Sequence, residues 1–385
     1  MLVPLTNVPR DYAWGSRSLL AALEGRPTTE GPEAEVWFGD HPSDPSDVGD
    51  GSGRTLDAWL ADEGVRVSES GRLPYLLKLL AAGSPLSIQV HPTRDQAREG
   101  HAREAALDGS GPRNYVDDNH KPEIVVALSE SFEALSGLRE LDATRRLLDA
   151  IGGAAAPLKE RLTDAEGLRS ALGWLLGGEG AETVRAIIGA LGDARSTEFA
   201  AELANARRIA AIYPDDAGVV VALLMNYVSL QRGEGLFLGA GKLHAYVEGL
   251  GVELMAASDN VLRGGLTPKR IDVDELLAVV DPSPGPVPVV LPVAVDHGSS
   301  GVETFPVPVD DFRLLRVRVG EGGETVLRPT GAAIVVATAG AVTVGSGDDA
   351  VELRPGKGVF ASPDTSELRF TGIGEVFAAE PGRAS

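Results

Sequence analysis

The sequence predicts a mainly β protein that carries an inserted block of α-helices. Residues 1–137 alternate short apolar runs with Gly, Pro and Asp, a pattern typical of strands joined by turns. From 138 to 230 the apolar residues recur with the longer period of amphipathic helices, and the strand pattern returns at 231–280. We therefore expect 1–137 and 231–280 to form one split β domain, interrupted by a helical domain of about five helices.

The candidate strands of the first domain are apolar runs bounded by turn residues. They include YLLKLLAA at 75–82, LSIQVHP at 86–92 and PEIVVAL at 122–128. In the helical block, Gly or Pro separates the segments, and the last segment, DAGVVVALLMNYVSL at 216–230, is expected to be helical like the others.

A proline-rich segment separates this part of the chain from the tail. Five prolines within 281–295 exclude a helix there and predict a stiff, extended connector. Residues 296–385 consist of short apolar runs separated by Gly turns, which predicts a second small β sandwich or barrel. Because no histidine lies near its turn at 351–363, we expect this domain to be free of metal.

The composition limits the class of function. A chain of 385 residues without cysteine has no disulfides, thiolate metal ligands or cysteine nucleophiles, so any metal must be held by nitrogen and oxygen. The formal charge of −21 argues against nucleic acid or an anionic membrane as a partner, and an anionic substrate needs a local basic patch. With no basic leader before an apolar core and no run long enough for a membrane span, we expect a cytoplasmic protein.

The segment LSIQVHP offers a pair of metal ligands. Its apolar residues alternate strictly with polar ones, so a strand would place Ser87, Gln89 and His91 on one face. Residues two apart on a strand have Cα atoms about 6.5 to 7 Å apart, which lets Gln89 and His91 converge on one ion. On this pattern alone, a half-exposed strand with a polar outer face explains the segment equally well.

Glu123 and His244 are further candidate ligands. Glu123 follows His-Lys-Pro at the start of the apolar run IVVAL, and His244 follows a Gly-rich turn in LGAGKLHAYVEG. Taken singly, the first segment fits a surface turn better, and the second histidine fits a structural role better. Two imidazoles, one carboxylate and one amide oxygen would suit zinc, and also manganese or cobalt.

Four segments resemble, in order, the signature segments of type I mannose-6-phosphate isomerases. They are SIQVHP at 87–92, HKPE at 120–123, LHAYVEG at 243–249 and MAASDNVLRGGLTPK at 255–269. Earlier stretches are similar as well, namely YAWGS at 12–16, AEVWFGDHPS at 34–43 and LPYLLKLL at 73–80. The resemblance is close over about 1–137 and 231–275 and holds only in outline for the helical block and the tail.

The resemblance implies a fold, a cofactor and a reaction. The implied fold is a zinc-binding cupin-type (jelly-roll) β barrel with a helical insertion, followed by a second, metal-free barrel. The family's ligands fall on Gln89, His91, Glu123 and His244, for one Zn²⁺ per chain. The implied substrates are mannose 6-phosphate and fructose 6-phosphate, interconverted through an enediol, and we expect the enzyme to be a monomer.

The remaining roles follow from the resemblance and from the needs of an aldose–ketose isomerisation, which requires a base and stabilisation of negative charge. Arg263 resembles the family's active-site arginine, and Glu253 is expected to act as base or to hold the substrate. The rival proton-transfer candidates are Asp259, His120 and Lys121. Lys269 and Ser87 are expected at the phosphate, and Glu35 and Trp37 at the pocket wall, whereas His41 and His297 are assigned structural roles.

Two other functions fit parts of the pattern. A cupin oxygenase would bind redox-active iron, but the amide ligand Gln89 and the segment LTPK at 266–269 argue against it. A sugar-phosphate-binding regulator would keep the pocket without turnover. The presence of Arg263, Glu253 and all four ligands argues against that alternative.

Overall fold

Two antiparallel sheets and a block of helices make up the described part of the chain. The computed structural model describes residues 1–107, 111–295 and 301–382, so His297 and the first residues of the predicted C-terminal domain lie outside the described residues. Within these ranges, no helix combines the length and the apolar character that a membrane span requires. The mainly β class with a helical block is confirmed.

The strands of the described residues are numbered in chain order. They are β1 (Leu2–Thr6), β2 (Glu35–Phe38), β3 (Asp47–Val48), β4 (Tyr75–Ala82), β5 (Gln89–Val90), β6 (Glu123–Ala127), β7 (Ser131–Leu138), β8 (Met225–Gln231), β9 (Gly235–Leu238), β10 (His244–Ala256), β11 (Leu262–Arg263), β12 (Val289–Val290), β13 (Val293–Ala294), β14 (Val302–Phe305), β15 (Arg313–Val319), β16 (Glu324–Leu327), β17 (Ala333–Ser346), β18 (Asp349–Leu353), β19 (Gly358–Ala361) and β20 (Leu368–Glu380).

The α-helices are numbered in the same way. They are α1 (Leu19–Leu23), α2 (Leu56–Asp62), α3 (Arg94–Ala105), α4 (Leu141–Ile151), α5 (Ala156–Arg161), α6 (Ala165–Leu176), α7 (Ala181–Ala190), α8 (Ala200–Ile212), α9 (Gly218–Leu224) and α10 (Val273–Val279), with a short 3₁₀ turn at Gly153–Ala155.

The first sheet, called the site sheet here, contains β2 and β4 to β12. Its order is β11-β5-β10-β6-β9-β12, and β10 also pairs with β4 and β7. Every residue of β4 and β6 is buried, which agrees with their continuous apolar runs. As the thirteen-residue strand at the centre, β10 connects four neighbouring strands, so side chains from distant parts of the sequence meet along it.

The alternation predicted for 86–92 is confirmed, although the strand is short. Leu86, Ile88 and Val90 are buried, with relative exposures of 8 %, 0 % and 0 %, while only Gln89 and Val90 are in regular strand geometry. Gln89 pairs with β10 on one side and with β11 on the other. The strand is short because Pro92 then ends the pairing.

The helical block contains six α-helices between Leu141 and Leu224 among the described residues, one more than the period suggested. The predicted helix over 216–230 is wrong in its second half, where Met225–Gln231 forms β8 and pairs with β7. The continuous apolar run at 219–228 has neither a clear helical nor a clear strand period, so the sequence pattern does not locate the change. In the structure, Leu138 opposite Met225 sets the start of the strand.

The second sheet, called the tail sheet, contains β1, β3 and β13 to β20. Its main order is β13-β14-β15-β20-β17-β19-β1-β3. The N-terminal strand β1 therefore belongs to the sheet of the tail, with Leu2 opposite Ala361 and Leu5 opposite Gly358. The proline-rich connector serves both sheets, because β12 pairs with β9 of the site sheet and β13 pairs with β14 of the tail sheet.

The two sheets share one hydrophobic core. Tyr75 and Leu77 of the site sheet belong to the same buried cluster as Phe312, Phe360 and Phe377 of the tail. The Tyr75 hydroxyl also shares its one proton between two backbone oxygens of the tail, those of Ala332 and Ala379, at 2.9 and 3.0 Å. Burying each such ring is worth on the order of 2 kcal/mol, so the sheets are held firmly against each other.

Candidate metal centre and active site

One row of cross-strand neighbours brings three predicted site residues together. Gln89 on β5 lies opposite His244 on β10 and, on its other side, opposite Arg263 on β11. Directly opposed residues on antiparallel strands project from the same face, with Cβ atoms about 4.5 to 5.5 Å apart. The pairing register therefore joins three segments that are far apart in the sequence.

His91, Glu123 and His244 form a buried group whose ligand atoms all lie within 4.8 Å of one another. The His91 Nε2 is 3.4 Å from Glu123 Oε1, and the His244 Nε2 is 3.6 Å from Glu123 Oε2. Glu123 begins β6 and follows the buried Pro122, as the sequence predicted for the start of this strand. Two imidazole nitrogens and a carboxylate at this spacing match a site for a divalent cation.

Hydrogen bonds on the far side of both rings orient them toward the group. The His91 Nδ1–H donates to the backbone oxygen of Asn260 at 2.7 Å, and the His244 Nδ1–H donates to that of Lys242 at 3.0 Å. Each Nε2 is then left with a lone pair, as in metal-binding histidines whose other nitrogen is held by a carbonyl. The His91 Nε2 is buried and has no hydrogen-bond partner among the described residues, so a cation would satisfy it.

The surroundings of His91 and Glu123 favour the protonation states in which these side chains bind a metal. Burial lowers the pKa of His91 to about 4, against the attraction of Glu123. Burial also opposes ionisation of Glu123, but Lys121 and His91 outweigh it and hold the pKa of this carboxyl well below its usual range. A neutral imidazole and an ionised carboxylate are the forms that bind metals.

A cavity of about 70 Å³ lies beside this group. Gln89, Ser87 and Lys121 line it, and the Lys121 Nζ is 2.9 Å from Glu123 Oε1. The cavity walls also include three carboxylates and two ammonium groups, from Glu35, Glu123, Glu253, Lys78 and Lys121. These five groups, three negative and two positive, carry a net charge of −1, which suits a cation.

A second cross-strand row contains Lys78, which the sequence analysis missed. Lys78 on β4 lies opposite Trp37 on β2 and Glu253 on β10. Its Nζ is 3.2 Å from Glu253 Oε2 and 3.7 Å from Glu35 Oε1. Burial opposes the charge, but Glu35 and Glu253 outweigh it and raise the pKa of the Lys78 ammonium. The signal in the sequence was a single lysine inside an otherwise apolar run. A charge in a fully buried strand needs partners of opposite charge, so it indicates a polar cluster there.

Glu253 reaches the cavity because β10 is irregular. Strict alternation from His244 would turn residue 253 to the opposite face, but the register shifts between Tyr246 and Glu248 where β10 passes from β7 to β4. The Tyr246 hydroxyl then donates to Glu253 Oε1 at 2.8 Å. The same shift turns Glu248 outward, where it pairs with Arg208, although strict alternation would place it on one face with His244 and Tyr246.

Arg263 and Lys269 line a separate cavity of about 180 Å³ with a basic character. Arg113 and Arg270 also line it, whereas Asp272 supplies one carboxylate and pairs with Arg270 at 2.7 Å. Neither the Arg263 nor the Lys269 side chain has an ion pair or hydrogen bond with another described residue. Burial lowers the pKa of the half-buried Arg263, which no carboxylate offsets. Uncompensated cations of this kind are suited to an anionic ligand.

Of the remaining predicted residues, Glu35 lines the first cavity, whereas Trp37, Asp259 and His120 line neither of the two. Trp37 is buried and donates from its indole nitrogen to Glu35 Oε2 at 2.7 Å, so it packs behind Glu35, which lines the first cavity. Asp259 lies 3.3 Å from His41 Nε2, and this hydrogen bond, against burial, lowers the pKa of Asp259. His41 thus contacts a candidate site residue, in addition to packing edge-on against Trp37. The His120 Nε2 lies 2.9 Å from Oδ2 of Asp311, a residue of the tail.

Comparison with known proteins gives matches along nearly the whole chain. A family model described as the catalytic domain of phosphomannose isomerase type I matches residues 2–141. The mannose-6-phosphate isomerase of Escherichia coli strain K12 is 37 % identical over 387 aligned residues, which cover 97 % of both chains. The mannose-6-phosphate isomerase of Bos taurus is 32 % identical, with 94 % of both chains covered.

Solved structures agree with the same grouping. A variant of phosphomannose isomerase from Salmonella typhimurium matches with a TM-score of 0.89 and 34 % identity, covering 99 % of this chain and 100 % of that chain. A structure described as mannose 6-phosphate isomerase bound with zinc and yttrium matches with a TM-score of 0.87 at the same identity and coverage.

Proposed function

The chain belongs to the type I phosphomannose isomerase family and is an isomerase of that kind, and we propose from this premise that it interconverts mannose 6-phosphate and fructose 6-phosphate. We further propose that one zinc ion per chain is held by Gln89, His91, Glu123 and His244 and that the reaction passes through an enediol. The substrate is then a small sugar phosphate, which agrees with a site that offers both a carboxylate-rich and a basic cavity.

The observation that carries this proposal is the buried His91–Glu123–His244 group with an unpartnered His91 Nε2. Two imidazoles and one carboxylate suit zinc but are also the ligands of non-haem iron, so zinc is supported over iron by the amide of Gln89 and by a structural neighbour of the chain that contains zinc. Gln89, cross-strand neighbour of His244, is the fourth ligand in this proposal. A bound zinc ion would act as a Lewis acid toward an oxygen of the sugar.

The isomerisation removes the proton from C2 of the aldose, forms the enediol, and returns a proton to C1 to give the ketose. We assign this carbon-to-carbon transfer to Glu253. Burial, with the charges of Glu123 and Glu35, raises the pKa of Glu253 although Lys78 opposes the rise, which brings the carboxyl closer to the range of a useful base. Tyr246 and Lys78 hold its two oxygens in place.

The reaction also moves a hydroxyl proton from O2 to O1. His120, Lys121 and Asp259 remain the candidates for this transfer, and we favour His120. No described residue is a hydrogen-bond partner of its Nδ1, so this nitrogen is available to a substrate hydroxyl. Lys121 is engaged by Glu123 and Asp259 by His41, which leaves them electrostatic roles near the developing charge.

The phosphate is assigned to the basic cavity. Lys269 and Arg263 have no carboxylate partners among the described residues and can both face an anion. Because Arg263 lies opposite Gln89, it joins this cavity to the proposed metal ligands and can stabilise negative charge on the intermediate as well. Ser87 adds a hydroxyl donor from the other cavity. Glu35 lines that cavity beside Lys78, and the Trp37 ring packs against the Lys78 ammonium.

The domain division stays part of the proposal. We propose cupin-type barrels for the site sheet and for the tail sheet, the second without metal, with 138–230 as the insertion and 281–295 as the connector. The pairing of β1 with β19 adds one refinement, because residues 2–6 then serve the C-terminal barrel. The monomeric state and the cytoplasmic location expected from the sequence belong to the same proposal.

A coupled assay for fructose 6-phosphate, started with mannose 6-phosphate, tests the function. We expect turnover by the zinc-loaded protein, its loss after dialysis against a chelator, and its return on adding Zn²⁺. Absence of turnover by fully loaded protein that still binds mannose 6-phosphate would favour the sugar-phosphate regulator. Turnover that survives complete metal removal would overturn the zinc assignment alone. As a matched comparison, His244→Ala should lose bound zinc, whereas His101→Ala, on helix α3 outside the group, should keep it.

A further inference from the structure

A residue of the tail lies against a candidate residue of the site. Both carboxylate oxygens of Asp311 are within hydrogen-bond distance of His120 Nε2, at 3.0 and 2.9 Å. Arg94 completes the cluster, with its Nη2 2.6 Å from Asp311 Oδ1 and 2.7 Å from His120 Nε2. The Asp311 side chain is 10 % exposed, so this contact is shielded from bulk water. Residues 191 positions apart in the sequence thus meet next to Lys121, which lines the first cavity.

The contact selects one tautomer of the neutral His120 ring. Two carboxylate oxygens beside the lone pair of an unprotonated Nε2 would be repelled, whereas the Arg94 Nη2, which can only donate, has Asp311 Oδ1 as a closer acceptor than Nε2, at 2.6 against 2.7 Å. The balance of these contacts favours a proton on Nε2, which donates it to Asp311. Arg94 then pairs with the carboxylate. Burial opposes ionisation of Asp311, but the hydrogen bond from His120, the charge that His120 carries when protonated and the charge of Arg94 outweigh it and lower the pKa of this carboxyl. The lone pair of His120 is therefore left on Nδ1.

Asp311 is held firmly relative to the site sheet. Its neighbour Phe312 is 1 % exposed and belongs to the hydrophobic core that both sheets share. The hydrogen bond that Tyr75 shares between the backbone oxygens of Ala332 and Ala379 anchors the tail sheet at the same interface. On the other side, Pro122 follows His120 and Lys121 and leads into Glu123, so the segment that carries His120 is restrained as well. The carboxylate and the imidazole thus have little freedom to separate.

We propose that Asp311 is a positioning residue, which orients His120 and keeps its Nδ1 unprotonated, so that the C-terminal part of the chain contributes to the chemistry of the site in the N-terminal part. This inference rests on the proposed function, in which Nδ1 of His120 accepts a hydroxyl proton of the sugar. Asp311 does not touch the substrate in this proposal. It acts through the imidazole, as a carboxylate that orients a catalytic histidine does.

A double-mutant cycle on the zinc-loaded, full-length enzyme tests the proposal. Asp311→Ala and Asp311→Asn should each lower kcat by about 10-fold or more, with KM changed by less than about threefold. In the background of His120→Ala the same substitutions should change kcat by less than about twofold, because the group they act through is gone. Asp311→Asn keeps the shape of the side chain and should unfold at nearly the wild-type temperature, so its loss of turnover is not a loss of structure.

Two matched variants distinguish the positioning of His120 from the packing of the tail sheet on the site sheet. Asp310→Ala removes the exposed neighbouring carboxylate and should leave kcat unchanged. Tyr75→Phe weakens the same interface without touching His120, so it should lower the unfolding temperature and have equal effects on kcat with His120 present or absent. The ¹⁵N spectrum of the histidines gives a readout apart from activity: the His120 signal should report the Nε2–H tautomer in the wild type and a tautomer mixture in Asp311→Ala.

The outcomes are distinguishable. Equal fold-losses from Asp311→Ala in both backgrounds, no loss in the wild-type background, full activity of His120→Ala, or an Nδ1–H tautomer in the wild type would each overturn the role of Asp311 while leaving the isomerase function in place. Absence of turnover by the zinc-loaded wild type would overturn the proposed function and this inference with it.

Discussion

Lys78 and Glu253 face each other directly across β4 and β10, with the Lys78 Nζ 3.2 Å from Glu253 Oε2. Both side chains are buried, at 6 % and 3 % exposure. Because Glu35 approaches the same ammonium at 3.7 Å, one lysine neutralises two buried carboxylates. The cation is therefore part of the balance of charges in the cavity, and its removal affects both folding and turnover.

Lys78→Met should destabilise the protein by about 3 to 5 kcal/mol, because it leaves Glu35 and Glu253 buried without their cation. Urea denaturation measures the change in the free energy of unfolding. Lys242→Met is the matched control, since Lys242 pairs with Asp281 at the surface, where both side chains are 38 % exposed, and should cost at most about 1 kcal/mol. Similar losses for the two variants would contradict the importance given to the buried pair.

The acid limb of the pH profile should report Glu253. A base must be deprotonated to work, and the raised pKa of Glu253 keeps it protonated to a higher pH than an ordinary glutamate, whose pKa is about 4.3. We expect kcat/KM to fall as pH drops through that raised pKa. Glu253→Gln should lower the plateau by about 10²- to 10⁴-fold and abolish this limb. Rates measured across pH, with zinc content checked at each point, make the comparison.

Glu248→Gln is the control for that profile, because Glu248 lies on the same strand but pairs with Arg208 at the surface. It should keep the wild-type plateau and the wild-type acid limb. A Glu253→Gln enzyme that retained the acid limb would show that another group is the titrating base.

Arg263→Ala should lower kcat/KM by about 10²-fold or more, since it removes from the basic cavity, beside Gln89, a cation that no described residue neutralises. Zinc content should be unchanged, because Arg263 adjoins Gln89 without being a ligand. Steady-state kinetics and metal analysis on the same preparations test both statements. Arg354→Ala, at an exposed arginine of the tail sheet, should behave as the wild type, and near-normal kinetics in Arg263→Ala would refute its assignment.

Asn260→Ala should weaken zinc binding by about 10- to 100-fold although its side chain is not a ligand. The backbone oxygen of Asn260 accepts the His91 Nδ1–H, and its buried amide ties this position to the backbone of Asp117 and Asn119 at 2.8 and 2.9 Å. Loss of those bonds frees the carbonyl that orients His91. Competition with a chromogenic zinc chelator measures the affinity.

Asn226→Ala is matched to that variant. The Asn226 amide also donates to backbone oxygens, those of Ser136 and Gly285, but it has no hydrogen bond to a proposed ligand. It should lower stability and leave zinc affinity within about twofold. If both variants bound zinc as the wild type does, the role given to the His91–Asn260 contact would be wrong.

The sequence predicted most of the residues that meet at the site but not all of their partners. Alternation placed the apolar face of 86–92 correctly, because a strand with one buried face has a strict period of two. Glu253 is an odd number of residues from His244, so strict alternation would place the two side chains on opposite faces. Only the register shift in β10 turns Glu253 into the cavity. Periodicity reports regular strands, so a functional residue beyond a bulge is found by motif similarity or by structure.

Two other contacts had no pattern that the sequence could reveal. Lys78 stands in a buried strand whose neighbours, β2 and β10, are chosen by tertiary pairing. Asp311 lies in an ordinary loop segment, and its contact with His120 depends on how the tail sheet packs on the site sheet. The helix-to-strand change at Met225 was missed for a related reason, since pairing with β7 overrides the local preference of an apolar run.

The position of β1 in the tail sheet has a consequence for biosynthesis. Residues 2–6 are synthesised some 350 residues before their partners at 358–361, an interval of ~20 to 70 s at ~5–20 residues per second. During that interval β3, at Asp47–Val48, can already pair with one edge of β1, but the edge that faces β19 is open to other strands in the cell. The tail sheet is thus completed late, when β19 pairs with β1 and covers the edge of β1 that was exposed.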